Sequence, residues 1–175
     1  MRKTFPSLHG LLTAALILSA SVSIQAQLTD ITQPGDPIVP TSNNSPGSEG
    51  VANAIDNQPT KYLNFDKLNT GFTVSPQSGL TLVSGLTLTS ANDAPERDPA
   101  SYVLSGSYDN TNFTQIAAGN LDPFVNRFEK HTILFNNTIP YLQYRLIFPT
   151  VANAGAANSM QISEVELLGV LAPRT

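Results

Sequence analysis

The sequence predicts an all-β domain, an antiparallel sandwich or jelly roll, and three observations lead to this prediction. Short apolar runs of alternating polarity recur at close spacing, and turn residues separate them. Charged residues make up only 13% of the chain, and their place is taken by Ser, Thr, Asn and Gln, of which several compete with helical backbone bonds. No stretch has sustained helical periodicity. A chain of 175 residues suffices for one domain with a core and is too short for two.

Turn chemistry divides the chain into strands and loops. Residues 80–90 alternate Leu with Thr, and Ser84-Gly85 indicates a bulge or bend in that strand. A polar turn at 109–112 joins two apolar runs, which predicts a hairpin. The first predicted strand comprises 28–32 and 38–39 and is interrupted by a turn at 34–37. The other predicted strands are 71–74, 80–90, 102–107, 113–116, 131–135, 141–148 and 160–168, with loops at 41–50, 92–100, 121–130 and 151–159.

Residues 1–26 have the pattern of a secretory signal peptide. Arg2 and Lys3 precede an apolar run at 11–18, and small residues lead to Ala26, where cleavage is expected. A membrane anchor fits less well, because Thr and Ser interrupt the apolar run. We therefore expect a signal peptide at 1–26, a domain at 27–169, a short tail at 170–175 and no membrane span in the mature chain. The domain is then secreted, periplasmic or on the cell surface.

Composition excludes several kinds of function. The net charge of -4 argues against a nucleic-acid partner, which usually requires a basic face. The absence of cysteine excludes disulfides and thiolate metal sites, and is more typical of exported bacterial domains than of small animal ones. With only two His, any metal would be a hard cation bound by oxygen.

The stretch 51–65, VANAIDNQPTKYLNF, places a carboxylate at the mouth of a polar turn. Asp56 is followed by Gln58, Pro59 and Thr60, so carbonyls and a hydroxyl lie close behind it. Such a group suits a hard cation such as calcium. It equally suits an Asx-turn in which the aspartate caps itself.

Three segments together resemble the discoidin-like, or coagulation factor 5/8 type C, branch of the galactose-binding-like superfamily. They are AIDNQPTKYLNF, YVLSGSYDNTNFTQIAAG and YRLIFPTVANAGAANSMQISEVELLG, and they span essentially the whole mature domain. The resemblance implies an eight-stranded antiparallel jelly roll that usually binds glycans and sometimes lipids or proteins. Many bacterial members of this family are carbohydrate-binding modules.

The resemblance also implies a structural calcium that ties the early Asp loop to the final strand. The turn from Asp56 to Thr60 is one residue shorter than is common in the family, which affects the middle ligands. The implied ligands are the Asp56 carboxylate, carbonyls near Asn53 and Gln58, Thr60, the Ser163 carbonyl and the Glu164 carboxylate.

Two loops supply the candidate ligand-binding residues. In a glycan site, Arg donates a fork of hydrogen bonds to sugar hydroxyls, a carboxylate accepts them, and an exposed aromatic ring packs on the C–H face. The alternative is a solvated loop with a local ion pair of little consequence. The chain has no Trp, and Tyr62 and Tyr108 are further aromatic candidates. The predicted ligand-binding residues are Glu96, Arg97, Asp98, Phe124, Arg127 and Phe128.

Catalysis is not predicted. Glu96, Asp98 and Asp122 could be imagined as glycosidase carboxylates, yet no distinctive motif accompanies them. His131 stands alone at the start of a strand, without a G-x-S-x-G motif. The sequence therefore predicts an exported non-catalytic module that binds a glycan or polysaccharide and holds a structural calcium. The alternative is an extracellular adhesion or structural protein that binds a protein or matrix partner.

Overall fold

The computed structural model describes residues 27–172, and these form a β-rich domain with two short 3-10 helices. The helices are Val51–Ile55 and Pro95–Arg97. The strands are β1 Thr29–Asp30, β2 Ile38–Pro40, β3 Tyr62–Asn64, β4 Thr70–Val74, β5 Thr81–Thr89, β6 Ser101–Ser107, β7 Thr114–Asn120, β8 Lys130–Leu134, β9 Gln143–Phe148, β10 Met160–Ile162 and β11 Glu164–Leu171.

The strands form two main antiparallel sheets that enclose one hydrophobic core. One sheet has the order β1-β11-β5-β8, the other has the order β2-β4-β9-β6-β7, and β10 pairs with β3 in a separate ribbon. Every strand pair is antiparallel. The predicted antiparallel β-sandwich is therefore confirmed.

The central strand β9 shows why these sequences form a sandwich. Tyr144, Leu146 and Phe148 are buried in the core, whereas Arg145 and Ile147 between them are half-exposed on the outer face. Because successive side chains of a strand point to opposite faces, this alternation buries one face of the sheet. Each such buried side chain contributes about 1.5–3 kcal/mol of hydrophobic stabilisation.

Two predicted local features are present. Leu168 pairs with Gly85 while Gly169 pairs with Val83, so Ser84 is the extra residue of a β-bulge. Strands β6 and β7 form the predicted hairpin. In its turn, the Asp109 carboxylate accepts hydrogen bonds from two backbone N–H groups, and these hydrogen bonds hold its pKa well below the ordinary value.

Two strand predictions were wrong in the same way. The predicted strand 160–168 is two strands, β10 and β11, which belong to different sheets and are separated at Ser163. The interrupted first strand is likewise β1 and β2, in opposite sheets. In both places the chain changes sheet, which depends on distant pairing partners and leaves the local polarity pattern unchanged.

Strand β11 continues to Leu171, beyond the expected domain limit at residue 169. The expected signal peptide lies outside the described residues. Within 27–172, no helix is long and apolar enough to cross a membrane.

Candidate functional site

The two segments implied to bind calcium lie against each other in the structure. The first 3-10 helix ends at Ile55 and Asp56 follows it as the C-cap, while Ser163-Glu164 stands where the chain passes from β10 to β11. The Ser163 hydroxyl donates to the Thr60 carbonyl at 2.6 Å, and the Asn57 N–H donates to Glu164 Oε2 at 2.9 Å. We call residues 56–60 with 163–164 the clasp.

The Asp56 carboxylate is engaged within its own turn. Its Oδ1 accepts the N–H of Gln58 at 2.9 Å, and its Oδ2 accepts the Thr60 hydroxyl at 2.6 Å. This is an Asx-turn. It leaves further lone pairs on both oxygens, because a carboxylate has about four acceptor sites. The Asx-turn and a cation are therefore compatible.

The electrostatics of the clasp are unbalanced. The pKa of Glu164 is raised to about 8, mainly by burial and in smaller part by the negative charges of Asp56, Asp30 and Glu166, while the hydrogen bond from the Asn57 N–H lowers it. Among the described residues, no cation forms a salt bridge with Glu164. A bound cation would supply the missing positive charge.

The donor set of the clasp fits calcium. In residues 27–172, no three His, Cys, Asp or Glu side chains converge on a possible metal site. A cation there would therefore be held by the two carboxylates together with carbonyl and hydroxyl oxygens, which are the hard ligands that calcium takes. The side-chain amide of Asn53 donates to the carbonyls of Ser48 and Lys61, so only the Asn53 oxygens could contribute.

The second candidate region is formed by residues 90–100 and 121–129, which we call the loop pair. Arg127 binds Asp98 with both terminal nitrogens, Nη1 to Oδ1 at 2.9 Å and Nη2 to Oδ2 at 2.6 Å. Asp98 is only 2% exposed, and its burial raises the pKa of the carboxyl although Arg127 opposes the shift. These two predicted ligand-binding residues thus join the loops to each other.

The turn that carries Arg127 is built by Glu129. One carboxylate oxygen of Glu129 accepts the N–H groups of Val125 and Asn126, each at 2.7 Å. These donors, with His131, hold the pKa of Glu129 below its ordinary value. Ser90 closes the loop pair from the other side, because its hydroxyl donates to the Asn126 carbonyl and accepts the N–H of Glu129.

Glu96 and Arg97 differ from Asp98 and Arg127, because their side chains are not engaged. Neither side chain makes a hydrogen bond or salt bridge to any residue of the described range 27–172, and Arg97 Nε is buried without a partner. Their backbone is nevertheless fixed. The Glu96 carbonyl accepts the N–H of Asn153 at 3.0 Å, and the Asp98 carbonyl accepts that of Ala152 at 2.8 Å.

The aromatic candidates divide by burial. Phe124 is 7% exposed and stacks on His131 with ring centroids 4.3 Å apart, and Tyr62 is fully buried. Phe128 and Tyr108 are about half-exposed, at 45% and 54%. Tyr108 follows the end of β6 that lies away from the loop pair. Phe128 is therefore the candidate ring that faces solvent within the loop pair.

A small cavity of about 270 Å³ lies between the loop pair and residue 152. Of the predicted ligand-binding residues, Asp98 and Phe124 line it, while Glu96, Arg97, Arg127 and Phe128 do not. Its other walls are apolar, with Pro95, Leu121 and Pro123 among them. The structure therefore brings the predicted residues into one region, though not into one groove.

Lys61 links the two candidate regions, and no sequence pattern indicated this. Its ammonium lies 2.9 Å from Asp93 in the loop pair and 3.6 Å from Glu49. The buried Gln161 amide also donates to the carbonyls of Asp93 and Ala94. These partners are 32 and 68 residues apart in the chain, so only the fold could identify them.

Solved structures with the same kind of β-sandwich are similar to this domain. The chain is similar to the module CpGH89CBM32-5 from Clostridium perfringens, solved in complex with GalNAc-beta-1,3-galactose, with 24% identity and a TM-score of 0.64 over 82% of this chain and 100% of that one. A family 32 module from C. perfringens NanJ, in complex with galactose, is 17% identical with a TM-score of 0.63, over 81% and 98% of the two chains.

A third similar structure is the family 32 carbohydrate-binding module of Streptococcus pneumoniae EndoD, which is 13% identical. Its TM-score is 0.65, over 79% of this chain and 98% of the module. The sequence matches no family model and no curated protein. The structural likenesses show that the domain has the β-sandwich fold of these modules, which is the fold that the sequence resemblance implied.

Proposed function

We propose that this domain is an exported, non-catalytic carbohydrate-binding module that binds its glycan at the loop pair and holds a structural calcium in the clasp. The fold supports this proposal, because the similar structures are carbohydrate-binding modules. Two of them are in complex with a sugar, one with GalNAc-beta-1,3-galactose and the other with galactose. Loops on a rigid sandwich are also where binding residues usually lie. The expected signal peptide at 1–26 supports export.

The observation that carries the proposal is that the Arg97 side chain is not engaged by the rest of the described chain. Its guanidinium has no partner in residues 27–172, although its loop is held in place by Asp98, Arg127 and the 152–153 backbone. Nε itself is enclosed, but the terminal nitrogens of this half-exposed side chain are not, and they can donate to sugar hydroxyls. Because the loop is fixed, little entropy is lost on binding.

Phe128 supplies the second element of a glycan site. Its ring is 45% exposed next to the Arg127–Asp98 pair, so an apolar sugar face can pack on it. The unengaged Glu96 carboxylate offers acceptors for sugar hydroxyls. Arg97, Glu96 and Phe128 thus take the contact roles, while Asp98, Arg127 and Phe124 keep the loops in position.

The same geometry favours binding without hydrolysis. Glycoside hydrolysis generally requires two carboxyl groups that can act on the glycosidic bond. Both oxygens of Asp98 accept hydrogen bonds from Arg127, so this carboxylate is not available as a nucleophile or base. The similar structures are carbohydrate-binding modules, which agrees with this proposal.

A glycan array with residues 27–175, followed by titration calorimetry on the best ligand, tests the proposal. We expect Arg97→Gln and Phe128→Ala each to weaken binding about tenfold or more, since each removes roughly 1.4 kcal/mol or more. Lys130→Gln and Tyr108→Ala are the matched controls. They change a cation and an exposed ring outside the proposed contacts, and should bind like the parent.

Two results would overturn the carbohydrate proposal. One is the absence of binding to any glycan together with specific capture of an extracellular protein, which would favour the adhesion alternative. The other is a glycan that binds equally well to Arg97→Gln, Phe128→Ala and the parent.

A further inference from the structure

A second feature of the molecule lies on the outer face of the five-stranded sheet, and none of its lining residues belongs to the loop pair. There the surface forms a groove of about 530 Å³, whose lining includes Val39, Asn69, Thr73, Asn110 and Arg145. Asn69 precedes Thr70, the first residue of β4, which pairs with Phe148 at the end of β9. Asn110 follows β6, whose last residue Ser107 pairs with Gln143 at the beginning of β9. The groove therefore runs along the strands, over about 17 Å for the five residues of β4 at about 3.3 Å each.

Arg145 is the only charged residue among those that line this groove, all of which are described. Its guanidinium is fixed from two directions. The Cζ atom lies 3.7 Å from the centroid of the Phe113 ring, and Nε donates to Thr73 Oγ1 at 3.2 Å. Its terminal nitrogens make no hydrogen bond or salt bridge with any residue of 27–172. A cation held in this way, without an anion, is prearranged for an external one.

The surroundings of Arg145 point to the shape of the ligand. The side-chain amides of Asn69 and Asn110 make no hydrogen bonds within the described chain, and they stand at the two ends of the groove. Val39 is 63% exposed and provides an apolar wall. Hydroxyl-bearing rings with C–H faces match such amides and walls, and a carboxylate matches the planar fork of an arginine.

We propose that this sheet groove is a second binding site, which takes the carboxylate of an acidic sugar residue within an oligosaccharide. Arg145 binds the carboxylate, and the amides of Asn69 and Asn110 bind hydroxyls of the flanking sugars. The choice of a saccharide rests on the proposed function, whereas the preference for a carboxylate follows from Arg145 itself. Because Arg145 is the one charged residue that lines the groove, an anionic group that enters the groove would be placed beside it.

The experiment compares a tetrasaccharide of mannuronic acid with its carboxyl-reduced, neutral counterpart. Titration calorimetry with residues 27–175 should give about tenfold or tighter binding of the acidic form, and a weaker preference at high salt. Arg145→Gln should abolish the preference. Lys67→Gln, which removes a cation outside the groove, is the matched control. Melting temperatures show whether each variant is folded.

Nuclear magnetic resonance on the unmodified domain locates the site without relying on a variant. The acidic tetrasaccharide should shift the Arg145 Nε–H signal and the side-chain amides of Asn69 and Asn110. Shifts confined to the loop pair, or equal binding of the acidic and neutral tetrasaccharides, would overturn the second site and leave the proposed function intact. Arg145 shifts in a domain that binds no neutral glycan would support the second site and reject the glycan site at the loop pair.

Discussion

The clasp and the loop pair both join segments that are distant in sequence, but they do so with opposite electrostatics. In the loop pair, the buried Asp98 carboxylate is neutralised by a two-pronged contact with Arg127. In the clasp, the buried Glu164 carboxylate faces the charge of Asp56 and has a backbone N–H as its partner. We call these two contacts ties. The tie between Asp98 and Arg127 is complete within the chain, whereas the tie between Asn57 and Glu164 has an excess of negative charge.

This difference separates two ways of fixing a loop. An internal ion pair that is largely buried is weakened little by salt, which suits a surface that must present Arg97 and Phe128 in constant positions. A tie with excess negative charge is stable only when something offsets that charge, so its stability depends on a cation or on protonation. We expect the two ties to respond differently to mutation and to chelators.

The largest effect on the free energy of unfolding is expected from breaking the tie between Asp98 and Arg127. Arg127→Ala leaves the Asp98 carboxylate buried without a cation, which should cost about 3 kcal/mol of unfolding free energy. Urea unfolding measures it. The control is Lys130→Ala, which breaks a partly exposed pair with Glu166 at 2.7 Å and should cost less than about 1 kcal/mol. Equal losses in the two variants would mean that the Asp98–Arg127 pair does not hold the loops.

Removal of calcium should have the next largest effect. If calcium fills the clasp at 100 times its dissociation constant, a chelator should lower stability by about 2.7 kcal/mol and the melting temperature by roughly 5–10 °C. Glu164→Gln removes a charged ligand and should make melting insensitive to the chelator. Glu166→Gln, next but one in the same strand, should keep the sensitivity. A parent domain that melts identically with and without chelator would argue against the calcium site.

How far the sequence predicts these two regions depends on the range of the interactions. The sandwich, the bulge at Ser84 and the turn at Asp109 rest on local polarity and turn chemistry, and a local pattern is visible in the chain. The change of sheet at Ser163 rests on pairing with β3 and β5, which no local pattern encodes. The interpretation of 160–168 as one strand failed for that reason.

The candidate sites show the same limit. The resemblance identified both halves of the clasp, because it aligned residues at the two ends of the domain. The neighbours Arg97 and Asp98 are equivalent candidates in the sequence, yet Asp98 is bound to Arg127 and Arg97 is not. Charged neighbours differ in role according to partners 29 residues away, so sequence position alone could not separate them.

A smaller effect should follow from the backbone of the clasp. Asn57 has a positive φ of 57° and donates its N–H to Glu164. Asn57→Ala puts a less tolerant residue in the left-handed region and should cost about 1 kcal/mol by urea unfolding. Asn57→Gly keeps the backbone conformation accessible, and should change stability by only a few tenths of a kcal/mol. A larger loss for Gly than for Ala would show that this backbone conformation does not matter.

The smallest effect tests whether the two ties communicate. Lys61 lies beside the clasp and contacts Asp93 of the loop pair at 2.9 Å, in a pair of which Asp93 is 49% exposed. Lys61→Ala should therefore cost less than about 1 kcal/mol. Its more informative consequence concerns binding. If Lys61 transmits the state of the clasp, a chelator should weaken glycan binding about twofold in the parent and not in Lys61→Ala, as measured by calorimetry. An equal response of both proteins would mean that the clasp stabilises the fold without influencing the loop pair.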